Sequence, residues 1–155
     1  MDVQELEGKV NISCESTELE VSESTICTIT GTTNEEISGL QFHLIMDKKV
    51  VIDEIKTSSI WEGDGEEGNF GLYTDENKTG TFEIGTFKVT AKKGGTVKIG
   101  AEDISFSSAS FELVPLQDEV LKIKVKRDNL GFILGIIIGV IGVIFLITFF
   151  LKRKK

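Results

Sequence analysis

Hydrophobic and polar residues alternate with a period of two along most of residues 9–127, and β-branched or aromatic side chains fill many of the apolar positions. Successive side chains of a strand point to opposite faces, so this alternation indicates strands that pack on one face and are hydrated on the other. The stretch at 120–126 shows the pattern plainly, because Leu121, Ile123 and Val125 alternate with lysines. We therefore predict an all-β domain over residues 9–127, preceded by an N-terminal tail at residues 1–8.

Turn-forming segments rich in Gly, Asp, Asn and Lys separate the alternating stretches from one another. Short strands at this spacing are typical of a sandwich of two sheets. No stretch before residue 130 has the period of a soluble helix. The predicted strands are Lys9–Cys14, Glu18–Val21, Thr25–Thr30, Gly39–Met46, Val50–Lys56, Phe70–Tyr73, Gly80–Ala91, Gly95–Ile104, Ser110–Leu113 and Val120–Lys126.

Residues 130–151 form an uncharged and almost wholly apolar run, which is followed by the basic residues 152–155. As a helix with a rise of 1.5 Å per residue the run would be about 33 Å long, and the hydrocarbon core of a bilayer is about 30 Å thick. We predict a single C-terminal transmembrane α-helix at 130–151 and a basic cytoplasmic tail at 152–155.

The charges around this run predict how the chain crosses the membrane. Lys and Arg beside a span resist translocation. The basic residues 152–155 therefore favour a cytoplasmic C-terminus and an extracellular β-domain at the cell surface. The first thirty residues have no basic-then-apolar signal pattern, so either a signal was removed from this chain or the protein is tail-anchored with a cytosolic N-terminal domain. Gly131, Gly135 and Gly139 would lie on one helix face, a spacing that allows helix-mediated self-association, although glycine is common in spans in any case.

The acidic balance of the β-domain changes the expected partners. The whole chain has a net charge of −8, and the residues before the apolar run hold all 25 acidic residues but only 13 of the 17 basic ones. Such a surface excludes nucleic acid as an expected partner and would repel an anionic bilayer or wall polymer. It suits cations or a basic protein surface, and a merely solvated surface is the alternative.

Cys14 and Cys27 are the only cysteines, and each lies in a predicted strand. A disulfide between adjacent strands and a pair of buried free thiols both fit this arrangement. Two cysteines and a single histidine at unrelated positions do not make a recognisable zinc site. We predict no metal site from these residues.

Two segments of the β-domain resemble cohesin domains. The segment Ile37–Asp47, in which a Gly-centred turn leads into an alternating strand that ends at an aspartate, is similar to an early cohesin strand. The segment from Gly80 through Phe82, Ile84, Phe87, Val89 and Ala91 to Gly94 is similar to a later one, and Ile104–Phe106 lies where the family has a following strand.

This resemblance implies a nine-stranded, two-sheet jelly-roll β-sandwich, a fold that cohesins share with a superfamily of carbohydrate-binding modules. Cohesins bind the dockerin modules of polysaccharide-degrading enzymes through one sheet face, and the strand matching Gly39–Asp47 contributes to that face. The resemblance therefore implies a dockerin-like protein partner, with Gln41, His43 and Ile45 as the partner-binding residues that point outward.

The sequence does not favour an enzyme. His43 is the only histidine, and a hydroxyl nucleophile needs a base within hydrogen-bond reach. With 25 acidic residues some carboxylate pair will always satisfy the spacing of a glycosidase, so that criterion carries no information. We predict no catalytic residues and no cofactor, and an ordinary surface position is the alternative for His43.

Trp61, Phe70 and Tyr73 bracket an acidic, glycine-rich loop at residues 62–69. Exposed aromatic faces beside carboxylates would form a platform for a glycan. The alternative is that the three rings close one end of the core, because large aromatic residues dominate protein cores. The sequence fits both interpretations of the three rings.

The same loop has a chemistry that suits calcium. Calcium takes six to eight oxygen ligands, but the loop lacks the pattern of the twelve-residue calcium loop. A hydrated acidic turn is therefore the alternative to a calcium site. The residues that would supply the oxygens are Asp64, Glu66, Glu67 and Asn69.

Three functions follow from these observations. The first is a membrane-anchored, surface-displayed, cohesin-like module that tethers a dockerin-type protein partner in polysaccharide degradation. The second is a module that binds a polysaccharide directly through the aromatic platform. The third is a non-catalytic structural ectodomain of a membrane complex.

Overall fold

The computed structural model describes residues 7–66, 68–108, 113–126, 136–138 and 140–141, with the backbone alone at 64–66. Strands account for most of this length, because the alternating sequence gives each strand one apolar face to bury. The strands are β1 (Gly8–Cys14), β2 (Glu18–Glu20), β3 (Ser24–Met46), β4 (Val50–Thr57), β5 (Glu62–Glu66), β6 (Asn69–Ala91), β7 (Gly95–Ser108), β8 (Leu113–Pro115) and β9 (Glu119–Lys126).

The strands form a sandwich of two sheets that share the long strands β3 and β6. In what we call the back sheet, β1, the first part of β3, the last part of β6 and β4 lie side by side. In the front sheet the order is β5, the first part of β6, the last part of β3, β7, β9 and β2, with β8 also paired to β7. All pairs are antiparallel except β2 with β9.

Two threonines turn β3 and β6 from one sheet into the other. The Thr33 hydroxyl donates to the Glu35 carbonyl at 2.9 Å and accepts from the Glu35 amide at 3.2 Å. Thr74 makes the same two bonds with Glu76, at 3.0 and 3.2 Å. Both threonines are buried, and the pairing of the two strands shifts register between Thr33 and the following segment. We call the end of the sandwich with these two turns the corner end.

These corners correct part of the predicted strand pattern. The segments predicted as Thr25–Thr30 and Gly39–Met46 are both within β3, and those predicted as Phe70–Tyr73 and Gly80–Ala91 are both within β6. Each long strand continues through the polar residues that separate its two predicted pieces. Residues 62–66, expected to be a loop, pair with β6 as β5.

The opposite end of the sandwich is where β9 ends, and we call it the lysine end. The turns after β3 and β6 meet there, because the Lys92 amide donates to the Lys49 carbonyl at 2.8 Å. Gly95, at the start of β7, pairs with Val125 at the end of β9. The first residue of β1, by contrast, lies at the corner end, since Gly8 pairs with Thr33.

The hydrophobic core lies between the two sheets and takes its residues from both. Phe82 of the back sheet connects Trp61 and Phe106, with ring centroids 5.5 and 6.2 Å away, respectively. The largest fully buried side chains are Phe87, Phe106, Leu19, Ile37, Leu44, Ile84, Ile99, Ile104, Ile123, Val89, Val97 and Cys27.

A disulfide joins Cys14 of β1 to Cys27 of β3, two residues that face each other across this pair of strands. Of the two arrangements left open by the sequence, the structure contains the cross-strand disulfide. It ties the edge strand of the back sheet to its neighbour.

The described part of the C-terminal run is short. Residues 136–138 and 140–141 are helical and exposed. Within the described residues, no helix has both the length and the apolar character that crossing a membrane requires. The rest of the predicted span at 130–151, including Gly131, Gly135 and Gly139, and the tail at 152–155 lie outside the described residues.

Candidate protein-binding face

The outer face of the front sheet contains the three residues expected to contact a partner. Side chains directly opposite each other in antiparallel strands lie on the same face of a sheet. Gln41, His43 and Ile45 alternate along β3 with the buried Phe42 and Leu44, so all three belong to the outer face. Their neighbours on either side of β3 are Gly71 and Ser105 for Gln41, Asn69 and Glu102 for His43, and Gly100 for Ile45.

A groove of about 600 Å³ crosses this face beside Gln41, towards the corner end. Gly71 helps to keep the groove open, because a Cβ atom there would meet no heavy atom within 4 Å. Tyr73 and Leu113 stand at its sides with 53% and 60% of their surface exposed. The residues around the groove include Gly39, Gln41, Gly71, Tyr73, Ser107 and Leu113.

Ser105 adds an unsatisfied polar group to the same face. It is opposite Gln41 across the β3–β7 pair and only 7% exposed. Among the described residues, its hydroxyl oxygen is the only buried side-chain nitrogen or oxygen atom without a hydrogen-bond partner. A buried hydroxyl without a partner costs about 1–3 kcal/mol.

His43 is half-buried and held in place by β6. Its Nδ1 lies 2.9 Å from Oδ1 of Asn69, and since an amide oxygen is an acceptor, the ring nitrogen donates. The bond fixes the imidazole beside Gln41 on the outer face. This hydrogen bond positions the imidazole and does not join it to a hydroxyl or thiol nucleophile.

Ile45 lies further along β3, away from the groove. Ile45 is half-buried and lies beside Gly100 and Val120. A Cβ atom built on Gly100 would lie 3.4 Å from Cδ1 of Ile45 and 3.3 Å from Cγ2 of Val120. The structure therefore brings Gln41 to the groove and continues the face through His43 and Ile45 towards the lysine end.

The three aromatic residues predicted as a glycan platform do not share one exposed surface. Trp61 is 4% exposed, and its Nε1 donates to the carbonyl of Glu83 at 3.1 Å. Phe70 is 7% exposed and stacks on Phe42 with ring centroids 4.8 Å apart. Tyr73 alone is exposed, at the groove. The alternative interpretation, in which rings close one end of the core, describes Trp61 and Phe70.

The predicted calcium ligands fall mainly outside what the structure describes. The backbone of residues 64–66 pairs with β6, but their side chains and residue 67 are not described. Asn69 is described, and its amide oxygen is bonded to His43. Within the described residues no group of three or more His, Cys, Asp and Glu side chains could hold a metal ion.

The alternation along β3 placed Gln41, His43 and Ile45 on the outer face but did not predict the groove. Gly71, Ser107 and Leu113 join the residues of β3 only through strand pairing. Alternation assigns an outward residue within one strand, but it does not say which residue of another strand lies beside it. The one local signal was Gly71 between Phe70 and Leu72, a gap in an otherwise apolar stretch.

Known proteins resemble this chain in structure but not in sequence. The sequence matches no protein-family model and no curated protein. A cohesin module from a Clostridium perfringens family 33 glycoside hydrolase superimposes with a TM-score of 0.65 and 10% identity, covering 77% of this chain and 98% of that one.

Two further cohesins superimpose as well. The third ScaB cohesin of R. flavefaciens, solved in complex with a group 1 dockerin, has a TM-score of 0.63 and 19% identity over 79% of this chain and 98% of its own. A non-cellulosomal cohesin from the archaeon Archaeoglobus fulgidus has a TM-score of 0.61 and 10% identity over 76% of this chain and 91% of its own. The fold of this chain is that of cohesin modules, as the resemblance of its sequence predicted.

Proposed function

We propose that this chain is a non-catalytic binding module that tethers a dockerin-type protein partner through the outer face of its front sheet. The observation that carries the proposal is the groove beside Gln41, open between the exposed side chains of Tyr73 and Leu113. Cohesins of the same fold from R. flavefaciens and Clostridium thermocellum were solved in complex with dockerins. From these complexes we take dockerins as the class of the proposed partner.

The chemistry of the face suits a protein. Exposed aromatic and large apolar side chains beside a pocket are the usual anchors of a protein interface, and such interfaces bury about 800 Å² on each side. Tyr73 offers an apolar ring with a polar tip, and Leu113 an apolar wall. Gln41 adds an exposed polar group that fixes the register of a partner.

The acidic charge of the domain favours a partner with a basic surface. Glu62 and Glu102 border the face, opposite Tyr73 and His43 respectively in neighbouring strands. Complementary charge raises the rate of encounter more than it raises affinity. We therefore expect association to slow as salt is added.

Membrane anchoring through residues 130–151 completes the proposed role. In the sequence, three residues separate the end of β9 at Lys126 from the apolar run. Such a short connection would hold the module close to a bilayer and display its partner at the cell surface.

The proposal is tested by calorimetric titration of the full chain, in detergent, with a panel of dockerins in the presence and absence of calcium. We expect one group of dockerins to bind. Gly71→Arg should reduce that affinity about a hundredfold, since the side chain would fill the groove without a backbone clash.

The matched control is Asn11→Arg, which places the same side chain at an exposed position of β1 in the back sheet. Thermal melting of both variants separates lost binding from lost folding. Equal affinity in the two variants would place the interface elsewhere. Binding of a polysaccharide panel in place of every dockerin would contradict the proposed partner class.

A further inference from the structure

The lysines of this acidic domain are concentrated at one end of the sandwich. Residues 7–126 contain twelve lysines, and eight of them belong to the lysine end or to the part of the front sheet that adjoins it. The eight are Lys48, Lys49, Lys92, Lys93, Lys98, Lys122, Lys124 and Lys126.

The fold brings these lysines together from distant parts of the sequence. The Lys49 carbonyl accepts hydrogen bonds from the amides of Lys92 and Lys93 at 2.8 and 3.2 Å, which joins the turns after β3 and β6. The Lys49 ammonium reaches into β7, where it donates to the Thr96 carbonyl at 3.1 Å. Thr96 in turn pairs with Lys124 of β9.

The strand pair β7–β9 extends the group along the front sheet. Lys98 and Lys122 are directly opposite each other and both exposed. Two like charges opposite each other in a sheet are unfavourable unless a counter-charge lies nearby. Within the described residues, neither of these two lysines has an ion pair.

The carboxylates near this end neutralise only part of its charge. Glu18 is the one that forms ion pairs with the group, at 4.0 Å to Lys124 and 3.6 Å to Lys126 among the described residues. The Asp47 and Glu23 carboxylates accept backbone amides, at 3.0 and 2.8 Å. Glu15 and Glu20 are the other acidic residues here, which makes five against eight lysines.

The corner end has the opposite charge. It carries Glu35, Glu36, Asp75 and Glu76, of which all but the half-buried Glu35 are exposed. Lys78 lies there too and forms an ion pair with Glu76 at 3.1 Å, which leaves the other carboxylates in excess. The domain is therefore polarised along the strands, with its positive end where β9 ends and the apolar run of the sequence follows after three residues.

We propose that the lysine end contacts the anionic headgroups of the bilayer into which residues 130–151 insert. This inference rests on the proposed membrane anchor. Lysines within a Debye length of an anionic leaflet are attracted to it, and the acidic corner end is repelled. The groove lies towards the corner end, beside Tyr73 and Leu113, so this orientation leaves it open to a partner.

The test uses the full chain in two kinds of nanodisc, one of phosphatidylcholine alone and one that also contains phosphatidylglycerol. Lysine side chains are acetylated at low salt, and the rate at each position is read by mass spectrometry. In the anionic disc we expect Lys48, Lys93 and Lys122 to react about threefold or more slowly than in the neutral disc. High salt should remove the difference.

Lys9 and Lys56, which are exposed but belong to the back sheet, are the internal controls and should react equally in both discs. Equal rates at the lysine end in the two discs, in a chain that co-purifies with them, would overturn the docking and leave the anchor intact. A chain that co-purifies with neither disc would overturn both. Dockerin affinity in detergent is measured without lipid, so its loss would count only against the binding face.

Discussion

The two outer faces of the sandwich share the long strands β3 and β6 and differ in the residues that these strands place outward. On the back sheet the hydroxyls of Ser24 and Thr90 lie 2.9 Å apart, and those of Thr32 and Thr81 lie 3.2 Å apart. On the front sheet β6 places Gly71 and the exposed side chain of Tyr73 outward, beside the groove. A face whose polar groups are already paired gains less from a bound molecule.

The difference arises where β3 and β6 pass through the corners. The halves in the back sheet place threonines outward, whereas the halves in the front sheet place Gly39 and Gly71 opposite larger residues. Threonine packs well on a pleated surface and closes it, but glycine leaves it open. We therefore expect the back sheet to contribute chiefly to stability and the front sheet to bind the proposed partner. Four predictions test that division.

The largest effect is expected from the disulfide of the back sheet. Replacing Cys14 and Cys27 together by Ala should lower the free energy of unfolding by about 3 kcal/mol, the value expected for a cross-linked loop of about fifteen residues. Urea denaturation measures this change. Dockerin affinity in the absence of urea should not change, because the bridge is in the back sheet.

The wild-type chain reduced with dithiothreitol is the control, since it loses the bridge without a change of sequence. It should unfold at the same urea concentration as the double variant. A fall in affinity that matches the fall in stability would break the division between the two sheets.

Tyr73→Ala should have the next largest effect, on binding alone. Truncation of an aromatic anchor in a protein interface costs about 2 kcal/mol, close to a thirtyfold loss of affinity. Stability should change little, since the ring is about half exposed. Titration calorimetry with the dockerin that binds the wild-type chain measures the loss.

Val51→Ala is the matched control for Tyr73→Ala. Val51 is a similarly exposed hydrophobic residue, but it is in β4 of the back sheet. Equal losses of affinity in the two variants would show that the partner does not distinguish the faces.

A smaller loss is expected when Gln41 and His43 are replaced together by Ala. Removing polar contacts at the side of a groove should reduce affinity about tenfold, or about 1.4 kcal/mol. His43→Gln is the more informative single change, because an amide can still bond to Asn69. If the double variant binds as tightly as the wild-type chain, β3 does not contribute to the interface.

The sequence predicted strands where the pattern is local. β9 was expected at Val120–Lys126 and is found at Glu119–Lys126, because the half-buried Leu121 and the buried Ile123 and Val125 alternate with three exposed lysines. The long strands were predicted as separate pieces, since the polar residues around Thr33 and Thr74 resemble turns. Their continuity depends on side-chain bonds to the backbone and on pairing with each other.

The candidate face was predictable only in part for the same reason. Alternation along β3 was enough to place Gln41, His43 and Ile45 on one surface. The groove depends on which residues of β6, β7 and β8 lie beside them, and register between distant strands is set by the whole core. Trp61 is an error of the opposite kind. Its place beside an acidic loop predicted a binding residue, but the side chain is buried in the core.

The smallest effect concerns an ion pair on the back sheet. Nζ of Lys88 donates a hydrogen bond to Oε1 of Glu54 at 2.7 Å. This bond holds the pKa of the Glu54 carboxyl below its usual value of 4.5. A lowered carboxyl pKa stabilises the fold above the unfolded-state pKa, and that contribution is lost as pH falls through the folded-state pKa. Glu54→Gln should therefore melt slightly below the wild-type chain at pH 7, with the difference vanishing in acid, because exposed pairs contribute little. Dockerin affinity should be the same for both chains at pH 7, whereas a loss of binding in Glu54→Gln would extend the interface to the back sheet.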